Sequence, residues 1–150
     1  MKLIPKKQSF QSEKSDILIY PLFEKNKRVD KSNIATLDSL LDGVINKLIK
    51  NKQLTGKKGS QLFIFSYGKL AFEWVLFIGL GDKESCSYDR IRHEAASAIR
   101  KVKSMGSKTV SMACQHLLDL DLNESKLSQA ISEGATMGTY EYLNYKSYTC

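Results

Sequence analysis

The 150-residue sequence has few cysteines, only two histidines and no long apolar run. No segment reaches the roughly 18 apolar residues that a membrane-spanning helix needs. The N-terminal segment lacks the apolar stretch and small-residue cleavage site of a secretory signal, so we expect none there. The three cysteines, Cys86, Cys114 and Cys150, form no CxxC pair. This argues against a disulfide framework or a zinc site and suits a reducing cytosol.

The composition is typical of one soluble globular domain, with 42% hydrophobic and 26% charged residues. The net charge of +7 comes from the first 60 residues, which hold 13 lysines and arginines against 6 acidic residues. The remaining 90 residues hold 10 of each kind. A basic sector attracts phosphate backbones, so nucleic acid is one possible partner. The lysines are scattered along the chain, however, which favours a solvated surface.

Hydrophobic patterning predicts alternating strands and helices. Apolar runs predict buried strands at 16–23, 62–65, 74–78 and 109–113, with a further possible strand at 2–10. Pro21 is expected to disturb or end the first of these. Helical spacing predicts helices at 37–49 with Thr36 as N-cap, at 88–105 stopped by Gly106, and from about 124 to 145. Residues 24–33 and 117–123 read as loops, and residues 56–60 and 67–69 as turns. The order predicts a single α/β domain, with a mixed or mostly parallel sheet covered on both faces.

Gly79-Leu80-Gly81 follows a predicted strand, as the first two glycines of a dinucleotide-binding turn do. The third glycine of that motif is missing, because Glu84 stands in its place. A carboxylate there would repel a pyrophosphate, and the next helix is predicted to start only near Tyr88. We therefore predict a sharp turn leaving the sheet, in which the glycines tolerate positive φ.

Two other motifs are incomplete. In Gly56–Ser60 a serine, not a lysine, follows the second glycine, so a solvated turn is favoured over a phosphate-binding loop. His93-Glu94 begins like a zinc-peptidase helix, but the second histidine would have to stand at Ser97. His93 is therefore predicted to be a surface histidine.

The remaining chemical groups give no specific signal. Cys114 and His116 are too few for a metal site, although a cysteine and a histidine could still meet in space as a catalytic pair. Asp119 and Asp121 could hold a cation but favour a solvated acidic loop. Four tyrosines within residues 140–148 could stack on single-stranded nucleic acid, or dock the last helix through aromatic contacts.

The order of these landmarks resembles the N-terminal domain of the leucyl aminopeptidase (cytosol aminopeptidase) family. The shared features are a T-G-K-x-G turn, a strand ending in G-L-G, and a helix reading roughly E-G-x-x-x-G-x-Y-x-F-x-x-Y-K. Here they occur as Thr55–Gly59, Trp74–Gly81 and Glu133–Lys146. The sequence departs from this pattern at Asp82, where lysine is common, and at Tyr142, where phenylalanine is usual.

The resemblance implies a three-layer α/β/α fold similar to macro domains, in one non-catalytic domain spanning residues 1–150. Catalysis in the family belongs to a C-terminal domain with two divalent metals, Mn or Zn, and we expect that domain to be absent from this chain. The resemblance therefore assigns no catalytic, cofactor-binding or metal-ligating residue here.

By the same resemblance, the parent enzyme is cytoplasmic and removes N-terminal residues, preferably leucine, from peptides. The domain would support hexamer assembly and active-site access. The alternative functions are binding of nucleic acid or, as in macro domains, of ADP-ribose.

Overall fold

A computed structural model describes residues 16–25, 28–31, 34–107, 109–113, 117 and 123–149. The described strands are β1 (Ile17–Lys25), β2 (Arg28–Val29), β3 (Gln61–Phe65), β4 (Trp74–Asp82) and β5 (Val110–Met112). The described helices are α1 (Ala35–Leu40), α2 (Val44–Lys50), α3 (Tyr88–Ser104) and α4 (Glu124–Thr149). The strand predicted at residues 2–10 lies outside the described residues. Most of the loop predicted at residues 117–123 does too.

The strands form one mixed sheet in the order β2-β1-β4-β3, and β5 also pairs with β1. β1 pairs in parallel with β4 and with β5, whereas β2 and β3 are antiparallel to their neighbours. The central strands β1 and β4 are buried over nearly their whole length. Helices cover both faces of the sheet, which confirms the predicted α/β class.

Side chains alternate between the two faces of β1 and β4, as the period of a strand requires. One face packs Leu18, Tyr20 and Phe77 against α1 and α2. The other packs Ile19 and Ile78 among apolar side chains of α3 and α4. The two continuous apolar runs thus supply both cores, one on each side of the sheet.

The prediction that Pro21 disturbs or ends the first strand is wrong, since β1 continues past it to Lys25. Pro21 lies opposite Ile78 in the β1–β4 pairing. On the other side of β1, the N–H of Ala113 donates to the Ile19 carbonyl at 2.9 Å. Alternate residues of a strand direct their backbone groups to the same side, so the nitrogen of Pro21 also faces away from β4 and its missing N–H does not interrupt the β1–β4 pairing.

The single helix predicted at 37–49 is two helices, because Asp42 and Gly43 adopt left-handed φ values of 56° and 79°. Thr36 lies inside α1, and Ile34 stands at the N-cap position. The buried Asp38 carboxylate bridges the break: its Oδ1 accepts from the backbone N–H of Asn46 at 3.1 Å, in the first turn of α2. Asp38 therefore caps the second helix from within the first.

Two further expectations need correction. β3 was expected to be buried, but its residues are only partly buried, because it is the last strand of the described sheet. The loop expected at 24–33 begins only after β1 ends at Lys25, and it contains the short strand β2. Both differences come from strand pairing, which local hydrophobicity does not encode.

α4 packs on α3 through two glycines. A Cβ added at Gly138 would lie 2.6 Å from the Ala96 carbonyl oxygen, and one at Gly134 would lie 2.9 Å from Ala95 Cβ. Arg92 of α3 also binds Glu133 of α4, with Nε 2.7 Å from Oε2. The helix axes approach closely because glycine occupies the contact.

We predict that Gly134→Ala destabilises the fold. Overpacking lowers the free energy of unfolding by about 1–3 kcal/mol. Alanine has a better helix propensity than glycine, which offsets up to about 1 kcal/mol of that loss. We therefore expect a net loss of about 1–2 kcal/mol. Urea unfolding followed by circular dichroism measures it. The exposed Ser128 of the same helix provides the matched control, since Ser128→Ala should change stability by less than about 0.5 kcal/mol. Equal effects of the two substitutions would contradict close packing at Gly134.

Candidate functional site

The loop Gly56–Ser60 lies against the carboxyl end of β4. The N–H of Gly81 donates to the Gly56 carbonyl at 2.8 Å, and the N–H of Gly79 donates to the Ser60 carbonyl at 2.9 Å. The N–H of Gly59 in turn donates to the Gly79 carbonyl at 3.2 Å. In open α/β sheets, ligands commonly bind outside the carboxyl ends of the strands. Here the chain's own loop occupies that position beside β4.

Glycine is required at this contact because backbone meets backbone. A Cβ at Gly79 would overlap the carbonyl oxygen of Lys57 and lie close to Ser60 Oγ. A Cβ at Gly56 would lie 2.5 Å from the carbonyl oxygen of Phe23, at the carboxyl end of β1. The loop is therefore wedged between the ends of the two central strands.

The prediction that Gly79-Leu80-Gly81 forms a turn leaving the sheet is wrong, since all three residues belong to β4. The expected positive φ is found at Gly81, at 76°. α3 begins at Tyr88, as predicted, and Ser87 caps it by accepting from the N–H of Arg90. The pattern resembled a nucleotide-binding turn because both arrangements need glycine for a close backbone approach.

Charged side chains surround this end of β4. Arg90 Nη1 donates to the Leu80 carbonyl at 3.2 Å and to Ser85 Oγ at 3.3 Å. Glu94 is 2% exposed, and its burial raises the pKa of its carboxyl above the ordinary value. The positive charges of His93, Lys58 and Arg90 partly oppose that rise in the Glu94 pKa.

Sequence reasoning missed the buried carboxylates Asp38 and Glu94 and the bridging role of Arg90. Glu94 lies three residues after Ile91 and four before Ala98, both buried apolar positions of α3, so its place on the inner face was predictable from this spacing. The contacts made by Asp38 had no local signal, because its partner Asn46 belongs to the next helix.

The incomplete zinc-peptidase motif does not form a metal site. His93 is exposed, as predicted, and Ser97 Oγ accepts from Gln61 Nε2 at 3.1 Å. Within the described ranges, no three His, Cys, Asp or Glu side chains are grouped closely enough to hold a metal ion. Cys86 is half-buried, and that burial raises the pKa of its thiol. These residues offer no pair of a nucleophile and a base.

Several sequence candidates lie outside the described residues. These are Cys114, His116, Asp119, Asp121 and Cys150. α4 continues to Thr149, beyond the predicted end near residue 145, but side chains from 140 onward, including the four tyrosines, are not described. None of the described helices has the length and apolarity that a membrane crossing needs.

The fold defines the class of protein first. The chain superimposes on the macrodomain of Mycobacterium tuberculosis DarG with a TM-score of 0.67 over 86% of each chain, at 9% identity. It superimposes on a mutant of tomato leucine aminopeptidase with a TM-score of 0.68, covering 89% of this chain and 27% of that one, at 19% identity. The architecture is macro-domain-like.

Sequence comparison then gives the family. Residues 19–149 match the model of the N-terminal domain of the cytosol aminopeptidase family, so the chain belongs to that family. It is 28% identical over 147 residues to a probable cytosol aminopeptidase of Alkaliphilus oremlandii, covering 98% of this chain and 29% of the relative. It is 30% identical over 132 residues to one of Trichormus variabilis, covering 88% and 26%. The chain thus spans less than a third of the length of these relatives.

We predict that Gly79→Ala costs about 1–3 kcal/mol of folding stability, because the added methyl forces the Gly56–Ser60 loop away from β4. Gly59→Ala is the control within the same contact. Gly59 has a φ of 83°, and a Cβ added there would meet no other atom within 4 Å. Gly59→Ala therefore introduces backbone strain without a steric clash, and we expect that strain to cost about 1–2 kcal/mol of folding stability. Amide hydrogen exchange distinguishes the two substitutions. Only Gly79→Ala should speed exchange at Gly81, and equal protection in both variants would contradict the wedge.

We predict that Glu94→Gln stabilises the fold more at pH 8 than at pH 4. Because the folded-state pKa of Glu94 is raised, its contribution is fully present below the unfolded-state pKa and is lost as pH rises through the folded-state pKa. Urea unfolding at both pH values measures the change. The exposed Ser128, replaced by alanine, is the control, because that substitution removes no ionisable group. A Glu94→Gln difference that does not grow with pH would argue against the raised pKa.

Proposed function

We propose that this chain is the N-terminal, non-catalytic domain of a leucyl aminopeptidase. The match of residues 19–149 to the family's N-terminal domain is the observation that carries the proposal. The tomato leucine aminopeptidase structure supports it, because this chain covers about the same share of that protein as of its probable cytosol aminopeptidase relatives. Catalysis then belongs to a further, C-terminal domain of the parent enzyme.

In this proposal the parent enzyme removes N-terminal residues, leucine preferred, from peptides in the cytoplasm. Its two divalent metals, Mn or Zn, would polarise the peptide carbonyl and activate water in the catalytic domain. The described residues of this chain do not fit such a centre, because they hold no group of three metal-ligating side chains. No step of the hydrolysis is therefore assigned to them.

The proposed role of the domain is structural: it supports assembly of a hexamer and access to the active sites. The loop Gly56–Ser60 is consistent with this role, since it closes the carboxyl end of β4 with the chain's own backbone.

The purified 150-residue chain is expected to release no leucine from leucine p-nitroanilide, with either Mn²⁺ or Zn²⁺ present. The reason is that its described residues supply no metal-ligand group. Absorbance of the released nitroaniline measures the rate, and a commercial leucine aminopeptidase serves as the positive control. Metal-dependent release by this chain alone would contradict the non-catalytic assignment.

The parent is tested separately by mass. An antibody raised against this domain should capture, from the native cells, a polypeptide well above 16.9 kDa that releases leucine. A captured polypeptide of about 16.9 kDa without activity would contradict the two-domain proposal.

A second candidate function is binding of ADP-ribose, favoured by the superposition on a macrodomain over 86% of both chains. One observation weighs against it. The N–H groups of Gly79 and Gly81 already donate to loop carbonyls, so at this end of β4 they do not face a phosphate. Titration calorimetry with ADP-ribose should show no saturable heat, and a saturable heat would favour this candidate.

A further inference from the structure

The strand β3 forms one edge of the described sheet. It pairs with β4 on one side, and no other described strand pairs with it. The N–H of Ser66 donates to the Glu73 carbonyl, so Ser66 directs its backbone groups toward β4. These groups alternate between the two sides along an antiparallel strand. The N–H and carbonyl groups of Gln61, Phe63 and Phe65 therefore point away from β4.

This edge lacks the features by which proteins keep sheet edges apart. Residues 61–67 read QLFIFSY and contain no charged side chain and no proline. The pairing with β4 runs from residue 61 to residue 65 without a shift of register, so no bulge twists the edge away. An exposed edge without lysine, proline or a bulge is a template for pairing with another strand. The composition of β3 therefore favours pairing at this edge.

Apolar side chains remain exposed beside the edge. Val44 of α2 is 39% exposed, Phe65 is 42% exposed and Tyr67 is 80% exposed. The Tyr67 ring packs edge-to-face on Phe65, with ring centroids 5.1 Å apart. A groove of about 240 Å³ lies between α2 and β3, smaller than the roughly 300–1,000 Å³ of small-molecule pockets. The residues that line it are Leu41, Val44, Leu48, Ile64, Phe65, Ser66, Tyr67 and Lys69.

The charge beside the edge is nearly balanced. Lys69 lines the groove, and its ammonium is paired with the carboxylate of Asp42. The exposed Lys47 of α2 lies one helical turn from Val44. A strongly acidic or strongly basic partner therefore gains little from this surface. The uncharged strand of a second copy meets little electrostatic resistance there.

We propose that two copies of this chain associate through their β3 edges, antiparallel about a two-fold axis at Phe63. The axis places Phe63 opposite itself and Gln61 opposite Phe65 of the other copy. The outward backbone groups then form about six hydrogen bonds, two in each of three residue pairs. Because the same surface serves both copies, the contact closes as a dimer.

This register matches the side chains on both faces of the extended sheet. Leu62 and Ile64 pack on the α1 and α2 side of β3, and Leu62 of one copy lies opposite Ile64 of the other. Phe63 packs on the α3 and α4 side, where it meets its own copy. Apolar cross-strand pairs of this kind stabilise a sheet. An axis at any other residue would leave part of the five-residue strand unpaired.

The exposed area predicts a weak dimer. An aromatic side chain presents about 150–250 Å², so Phe65 and Tyr67 together expose roughly 250 Å² per copy. Two copies would bury roughly 500 Å² from these side chains, and the backbone of the strands adds to this. Stable interfaces bury at least about 1,200 Å². We therefore expect a reversible dimer whose population depends on concentration. This inference concerns the domain alone and does not depend on the catalytic assignment or the hexamer of the parent.

The first test uses the full 150-residue chain. Sedimentation equilibrium over a range of concentrations should show the mass rising from 16.9 kDa toward that of a dimer, with no larger species. Hydrogen exchange at the Phe63 and Phe65 amides should be fast in dilute protein and slow in concentrated protein. Raising the salt concentration should not weaken the dimer, because its contacts are apolar and backbone contacts.

A single substitution then locates the contact. Phe65→Lys should weaken association at least roughly tenfold, because a lysine on an edge strand blocks pairing. The matched control is Met137→Lys on α4, since Met137 is also a large apolar side chain and is 45% exposed. It should leave association unchanged. Both side chains are substantially exposed, so both variants are expected to fold, and circular dichroism checks this.

Two double variants test the register. Gln61→Lys with Phe65→Lys places lysine opposite lysine in the proposed dimer. Gln61→Glu with Phe65→Glu places glutamate opposite glutamate. Each double variant alone should be monomeric, because like charges directly opposite each other destabilise strand pairing. An equimolar mixture should dimerise, because each lysine then faces a glutamate, and added salt should weaken this mixed dimer.

Several results would overturn the proposal. A wild-type chain that stays monomeric at every concentration would remove the dimer. Association unaffected by Phe65→Lys, or a mixture of the double variants that fails to dimerise, would remove the β3 contact or its antiparallel register. Slow exchange of the Phe63 and Phe65 amides in the dilute monomer would show that another segment of the chain covers the edge. Species larger than a dimer would replace the closed two-fold contact with open-ended association.

Discussion

The parallel pairing of β1 with β4 is the interaction on which the rest of the structure depends. Residues from Ile17 to Leu22 pair in unbroken register with Trp74 to Gly79, and the register shifts only between Leu22 and Glu24. Both strands are buried, so each faces α1 and α2 on one side and α3 and α4 on the other. If the register slipped by one residue, the side chains of the slipped strand would exchange faces, and neither core would fill.

The Gly56–Ser60 loop packs closely against the carboxyl ends of β1 and β4 and covers the end of β4. The carbonyls of Gly56 and Ser60 accept from the N–H groups of Gly81 and Gly79. The sheet resembles that of a macrodomain, but the backbone of the Gly56–Ser60 loop covers this end of β4. At the periphery, the exposed side chains of Val44, Phe65 and Tyr67 lie beside β3, the last strand of the described sheet.

Two buried carboxylates have different consequences for the fold. Asp38 holds the break between α1 and α2 by accepting a backbone N–H of the second helix. Burial raises the pKa of the Glu94 carboxyl, and the basic side chains of Lys58 and Arg90 only partly oppose that rise. Asp38 thus replaces a backbone partner lost at a helix end, whereas burial disfavours the ionised form of Glu94.

By itself, the sequence determined the element types wherever the apolar pattern was long and periodic. The strand at 74–78 and the helices near 88–105 and 124–145 were found within a few residues, because burial imposes their period locally. The family was predictable from the order of the glycine-containing motifs. The sequence also predicted that the dinucleotide-binding motif is incomplete, since Glu84 replaces its third glycine.

Tertiary structure alone decided the features that depend on partners distant in the chain. It decided that Pro21 is tolerated inside β1, because the nitrogen of that residue faces away from β4. It divided the helix predicted at 37–49 into two helices at Gly43, where the Asp38 carboxylate accepts from the N–H of Asn46 in place of a backbone carbonyl. It also extended β4 to Asp82, because Gly79 and Asp82 pair with Leu22 and Glu24 of β1. Each depends on a contact between separate segments, and such contacts have no local period to read.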